Sequence, residues 1–299
     1  MFHTVTEPSI DQPLDRPTPT RQTPRTGGSR TAVAGAGATQ LGPSSSAAVN
    51  ATLIGRDDLC PAVARFRVRP DDGVPAFVPG QYFALGLTVG GRLVQRPYST
   101  ASPAGTRDEL DFLVRLVPNG RFTPRLWAMP VGERLRIGPP KGVFALRQDD
   151  ERARLFLATG TGLAPFVSMV ATILASRDGA SGPARVVVVH GVSRVAELAY
   201  GDQLRAWAER HPGVAYVPVI SRAADPGNAG WTGATGRLDA VIDTVCAEQS
   251  LDPHDTVAYL CGNPEMITAA RERLGTLGFA ADALISEHYW IARSRPVAA

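Results

Sequence analysis

Thr159-Gly160-Thr161-Gly162-Leu163-Ala164-Pro165 follows the apolar run Leu155-Phe156-Leu157-Ala158. Glycines so spaced between a strand and a helix let backbone N–H groups approach phosphate oxygens, and the helix N-terminus adds unpaired donors and a positive dipole end. Pro165 suits the first helical turn, where a missing N–H costs nothing. Arg96-Pro97-Tyr98-Ser99 is a second group with chemistry in it. Arg96 and Tyr98 are two apart, so on a strand they share a face, offering a cation for a phosphate beside a ring for stacking. Strict alternation puts Ser99 on the opposite face. Two further groups lie downstream, Cys261-Gly262-Asn263-Pro264 and Glu287-His288-Tyr289-Trp290.

The elements that must position these residues follow from the apolar pattern. From Ala51 to Leu146 short alternating or apolar runs (63–68, 82–87, 110–117 and 134–137) are broken by turn clusters such as Asp71-Asp72-Gly73 and Pro118-Asn119-Gly120. Short strands at such close spacing predict an antiparallel barrel or sandwich over residues 50–148. After Asp149, apolar strands at 154–158, 185–190, 214–220 and 256–261 alternate with helical stretches near 165–176, 195–210, 237–248 and 264–277. That rhythm predicts a parallel α/β sheet over 149–299, with Leu284–Trp290 as a last strand. Residues 1–49 are rich in Pro, Thr, Ser, Gly and Ala and hold no acidic residue beyond Arg16. A disordered tail is expected there, although the basic, acid-poor pattern is also that of an organellar transit peptide.

Composition excludes several classes. The net charge of +3 gives no footprint for nucleic acid or a membrane surface, and no stretch of 18 apolar residues occurs. Cys60, Cys246 and Cys261 lack any zinc or iron–sulfur spacing, so no metal site is expected. A disulfide framework is equally disfavoured, which points to the cytoplasm.

Arg-x-Tyr-Ser, Gly-Thr-Gly-Leu-Ala-Pro, Cys-Gly-Asn-Pro and Glu-His-Tyr-Trp occur in one order, across the change of fold class. Together they resemble the bacterial ferredoxin/flavodoxin–NADP reductases of the ferredoxin-reductase-like superfamily, over about residues 50–290. The resemblance implies FAD on the barrel and NADP(H) on the α/β domain. Arg96 would face the FAD pyrophosphate, with Pro97 in the same motif; Tyr98 would stack on the isoalloxazine and Ser99 approach its N5. Leu113, Val114, Arg115 and Leu116 match the strand beneath the flavin. Arg121, Phe122 and Thr123 match the pyrophosphate loop, with the Thr123 hydroxyl and backbone amides as donors. Thr161 would lie beside the flavin and nicotinamide, with Gly160 and Gly162 of its motif holding the cofactor's phosphates; Gly262, Asn263 and Pro264 follow Cys261 as further cofactor-binding residues. Cys261 and Glu287, with Ser99 and Tyr98, match the hydride-transfer site, and Tyr289 and Trp290 the aromatic end against FAD. The extra residues 291–299 are expected to fold over the FAD adenosine end.

Residue types favour NADPH over NADH. The second strand ends in Ser193-Arg194 with no carboxylate before Glu197, and Ser221-Arg222 and Thr235-Gly236-Arg237 follow. Arginines beside hydroxyls suit a dianionic 2′-phosphate. The related family pattern carries Arg where Ser193 stands, so Arg194 is one position displaced. The implied activity is hydride transfer to FAD and single-electron transfer to a ferredoxin or flavodoxin, by a monomer. The alternatives are the reductase component of an oxygenase, a free-flavin reductase, or a non-catalytic flavin-binding sensor or scaffold.

Overall fold

In the first half, alternate apolar residues along most of the strands turn the same way and close a core. The computed structural model describes residues 49–176 and 185–289. In β2 (Val63–Pro70), Ala64, Phe66 and Val68 are buried while Arg65, Arg67 and Arg69 turn outward. With β1 (Ala51–Cys60), β3 (Tyr82–Val89), β4 (Arg92–Ser99), β5 (Leu110–Arg115) and β6 (Arg134–Ile137) it forms an antiparallel sheet in the order β4-β3-β6-β1-β2-β5. The two end strands meet at the Thr100–Phe112 bridge, which closes the sheet on itself. Phe66, Phe83, Leu85, Phe112 and Leu135 fill the interior, and α1 (Thr123–Ala128) adds Leu126. Of the barrel and the sandwich that the strand spacing allows, the chain forms the barrel, as the family resemblance implies.

The second half is a parallel sheet in the order β10-β9-β8-β7-β11-β12. Its strands are β7 (Ala153–Thr159), β8 (Val186–Val192), β9 (Val214–Ile220), β10 (Ala234–Thr235), β11 (Thr256–Gly262) and β12 (Leu284–His288). β8 and β11 are buried along their whole length, as strands covered on both faces must be. α2 (Ala164–Ser176) and α3 (Gly201–Arg210) pack on one face, α4 (Ile242–Glu248) and α5 (Pro264–Thr276) on the other. Strand order reverses between β7 and β11, leaving a crevice at their carboxyl ends.

Several boundaries differ from those predicted. The glycine segment Gly160–Leu163 closes a 3-10 turn before α2 begins. The helix expected from 195 starts only at Gly201, because Tyr200 adopts φ 54° after a 3-10 turn at Val195–Glu197. The stretch from 237 is likewise a 3-10 turn, Leu238–Val241, before α4. The last strand stops at His288 and β5 at Arg115. The tail 1–48, Trp290 and the extension 291–299 lie outside the described residues. No helix among the described residues is long and apolar enough to cross a membrane.

The two halves share a core. Val63, Ala101 and Leu113 of the barrel join Ala164, Val167 and Val170 of α2 in one apolar cluster. The Thr172 hydroxyl of α2 accepts from the Ala104 amide at 3.1 Å, and the Arg65 guanidinium lies 6.0 Å from the Tyr200 ring centre.

Candidate functional site

A cleft of about 430 Å³ opens at the carboxyl ends of the parallel strands, lined by Gly160 and Thr161, Gly191–Ser193, Ser221, Gly236–Asp239, Gly262, Asn263 and Tyr289, with Arg115 and Glu197 at one side. Its floor is the glycine turn. Gly160 has φ 54°, and its carbonyl bonds the His190 ring Nε2 at 3.0 Å. Burial lowers the His190 pKa to about 4, so the ring is neutral and donates that bond. Gly162 does not line the cleft. A Cβ there would stand 2.4 Å from the Cys261 carbonyl oxygen, so glycine is what lets the turn press against β11. Gly262 (φ 130°) is crowded in the same way by Thr159, whose hydroxyl accepts from the Asn263 amide at 2.9 Å. The Asn263 side chain caps α5 by accepting from the Glu265 amide, and Pro264 takes the first helical turn.

Beside this cleft three residues from distant parts of the chain meet. β11 and β12 pair in register so that Cys261 stands beside Glu287. The Ser99 hydroxyl, at the end of β4, donates to the Glu287 carboxylate at 3.3 Å. Ser99 is buried and Tyr98 half-buried, on opposite faces of the strand, as alternation requires. Burial raises the Glu287 pKa to about 7, against the lowering effect of the Ser99 bond. Burial, and then the Glu287 charge, push the Cys261 thiol well above its ordinary value, so it stays protonated. The Tyr289 amide donates to the Gly262 carbonyl at 3.1 Å, fixing that aromatic at the cleft wall.

On the barrel side, Arg96 is exposed and spends one guanidinium donor on the Gln95 carbonyl at 2.7 Å, leaving others in its fork. The Tyr98 ring packs 5.8 Å from Phe122. This exposed cation beside a ring with a half-buried face fits a flavin carrying a diphosphate tail. Two expectations need correction. The Thr123 hydroxyl is not free to donate, because it accepts from the Val117 amide at 2.9 Å and donates back to its carbonyl at 3.2 Å, closing the 117–123 loop. Phe122 and Val114 point into the barrel core, so only their backbone can meet a ligand. Leu113 is buried in the cluster shared with α2, and Arg115 turns to the cleft at the ends of the parallel strands, where it pairs with Glu197. Arg121 is exposed, its carbonyl accepting from Arg125, and Leu116 is half-buried.

The arginines expected at a 2′-phosphate are not equivalent. Ser193, Ser221 and Arg237 line the cleft; Arg194 and Arg222 do not. The one-residue displacement of Arg194 carries its Nε to Asp225 at 2.8 Å. Arg237 shares the cleft with Asp239, 3.2 Å away. Asn228, which sequence reasoning missed, is buried and stitches this end together. Its amide donates to the Ser193 and Arg222 carbonyls, and its oxygen accepts from Val195. A lone Asn in a Pro-Gly-Asn turn gave no signal of this. Glu197 and His190 were missed for the same reason: each looks ordinary until its partner, far away in sequence, is known.

Residues 50–146 match the family model of an oxidoreductase FAD-binding domain, and residues 156–272 that of an oxidoreductase NAD-binding domain. The anthranilate 1,2-dioxygenase electron transfer component of Acinetobacter baylyi is 34% identical over 215 residues, 71% of this chain and 58% of that protein. Ferredoxin–NADP reductase A of Sorangium cellulosum is 34% identical over 219 residues, 68% of this chain and 74% of the relative. A ferredoxin NADP+ reductase from Neisseria gonorrhoeae, solved with bound FAD and NADP, is similar with a TM-score of 0.68 and 26% identity, covering 80% of this chain and 97% of that one. The chain spans 58% and 64% of the length of the first two curated relatives.

Proposed function

We propose, for a chain that belongs to the ferredoxin reductase-like superfamily of FAD- and NAD-binding oxidoreductases, that it moves electrons between NADP(H) and a ferredoxin or flavodoxin. The observation that carries this reading is the contact of Ser99 with Glu287, beside Cys261, where the barrel meets the nucleotide cleft. FAD, when bound, supplies a centre that takes up two electrons together and releases them singly. Arg96 would hold its phosphates and Tyr98 its ring system, with the backbone of Leu113–Leu116 and Arg121–Thr123 alongside. The glycine turn, at Gly160 and Thr161, and the amino end of α2 would receive the pyridine nucleotide phosphates. Ser193, Ser221 and Arg237 would meet the adenosine ribose, and Thr161, Gly262 and Asn263 would border its nicotinamide end. Glu287, with a carboxyl titrating near neutrality, can hold or yield a proton at the Ser99 hydroxyl. The protonated Cys261 thiol keeps a neutral, compact wall beside it. The same reading takes the protein as a cytoplasmic monomer of two domains divided near Asp149.

A second reading makes the electron acceptor the iron–sulfur component of an oxygenase, with NADH as donor. The anthranilate dioxygenase relative and the Asp239 carboxylate in the cleft favour it. One experiment separates these readings. Anaerobic mixing of the FAD-loaded protein with NADPH or NADH, followed by cytochrome c reduction with and without added ferredoxin or flavodoxin, tests donor and acceptor together. Rapid bleaching by NADPH and stimulation by a carrier are expected. Bleaching by NADH alone, with no stimulation by either carrier, would favour the oxygenase reading. No bleaching with either nucleotide would leave a flavin-binding protein without this activity.

A further inference from the structure

Among the described residues that line the nucleotide cleft, Arg115 alone comes from the barrel; every other one lies at Thr159 or beyond. Its guanidinium reaches out of β5 to the Glu197 carboxylate on the 3-10 turn after β8, joining the two halves across the mouth of the cleft. The pair is asymmetric. The Glu197 side chain is 6% exposed and the Arg115 side chain 46%, so the anion sits behind and the cation in front. The guanidinium Nη2 lies 3.6 Å from the position a Cβ would take on Gly160, directly at the glycine turn. A buried carboxylate beside a site for polyanions is unfavourable in itself, both by desolvation and by repulsion. Its position makes sense when its task is to fix a cation: the Arg115 Nη2 that holds Glu197 is also the nitrogen at the glycine turn, on a side chain that lines the cleft.

We propose that Glu197 is a positioning residue that holds Arg115 over the glycine turn, so that the barrel contributes a pre-oriented cation to the phosphates of the pyridine nucleotide. The nucleotide then contacts both halves of the molecule at once. Glu197 is carried on Val195–Glu197, and Tyr200, just beyond it with φ 54°, lies under the Arg65 guanidinium. The segment 195–200 is thus gripped by the barrel at two points. Arg115 belongs by this account to the nucleotide and not to the flavin.

This inference rests on pyridine nucleotide use, and its test keeps the two apart. Wild-type FAD-loaded protein must first be bleached by NADPH or NADH; failure there overturns the functional reading and not this pair. Glu197→Gln and Arg115→Ala are then each expected to weaken ADP-ribose binding, measured by calorimetry on the loaded protein, by about tenfold. The KM for the nucleotide should rise by the same factor with kcat nearly unchanged. The double variant should be no weaker than either single one, since the two side chains act as a unit. Adenosine 2′-monophosphate, which lacks the diphosphate, should bind all four proteins alike, a result that general damage to the fold would not give. Glu197→Asp, keeping the charge, is expected to recover part of the affinity and serves if Glu197→Gln fails to fold. Unchanged or tighter ADP-ribose binding in Glu197→Gln, additive losses, or an equal loss for adenosine 2′-monophosphate would each overturn the proposal.

Discussion

The Glu287 carboxyl shows how burial converts an ordinary side chain into one that titrates in the working range. Its pKa rises to about 7 from 4.5 because the charged form is desolvated. The folded protein therefore holds the proton more tightly than the unfolded chain, and this group's contribution is fully present below pH 4.5 and lost as pH rises through 7. Glu287→Gln, which cannot ionise, is expected to melt higher than wild type at alkaline pH, with the advantage vanishing in acid. The gap should not exceed about 3 kcal/mol, lowered further by partial exposure. Thermal melts across the pH range check this, and a constant gap would contradict it. At the other end of the cleft, Asp239 pairs with Arg237, and under the proposed reading its carboxylate would oppose a dianionic 2′-phosphate and offer an acceptor to a free 2′-hydroxyl. Asp239→Asn should shift the ratio of NADPH to NADH KM values toward NADPH by up to about fivefold, as for an exposed charge. Arg237→Ala should move the same ratio the other way.

At the scale of elements, the site depends on two strand ends brought closer than side chains would allow. Gly162 on the turn after β7 and Gly262 at the end of β11 abut each other's neighbours, Cys261 and Thr159. Gly162→Ala places a methyl group against a backbone carbonyl that cannot swing away. A loss of about 1–3 kcal/mol in stability is expected, as for other overpacked sites. Nucleotide-dependent bleaching should slow as well, because Cys261 and Glu287 ride on the displaced strands. Urea unfolding and stopped-flow absorbance check the two effects separately. The strand–turn–helix was legible because it is local: an apolar run, glycines and a proline in the first helical turn. That its glycines close a 3-10 turn, pinned from β8 by His190, was not legible, because that bond joins residues 30 apart in sequence.

At the scale of the molecule, the shared core of Val63, Ala101 and Leu113 with α2 couples barrel and sheet. Thermal unfolding is therefore expected as one cooperative transition, with far-UV circular dichroism and flavin fluorescence changing together. Leu113→Ala should lower that single transition by about 2–5 kcal/mol without splitting it. Two separated transitions in wild type would show that the halves fold independently. Such coupling suits a site whose residues are divided between the halves: Ser99 and Arg115 on one, Glu287 and Glu197 on the other.

The sequence by itself determined the class of fold, since strand alternation and strand–helix rhythm are consequences of backbone geometry acting over a few residues. It also marked Arg96, Tyr98, Ser99, Cys261 and Glu287 as candidates, because the motifs that hold them are contiguous. Tertiary structure alone decided which of them touch. Ser99 and Glu287 are separated by 188 residues and Arg115 and Glu197 by 82, and each pairing depends on a strand register and a domain contact that no local pattern encodes. The same holds for the arginines. Arg194, Arg222 and Arg237 read alike as cations near hydroxyls, yet Asp225 draws one aside and the cleft admits only Arg237. A side chain's charge is a property of its type, whereas its availability depends on neighbours that only the folded chain supplies.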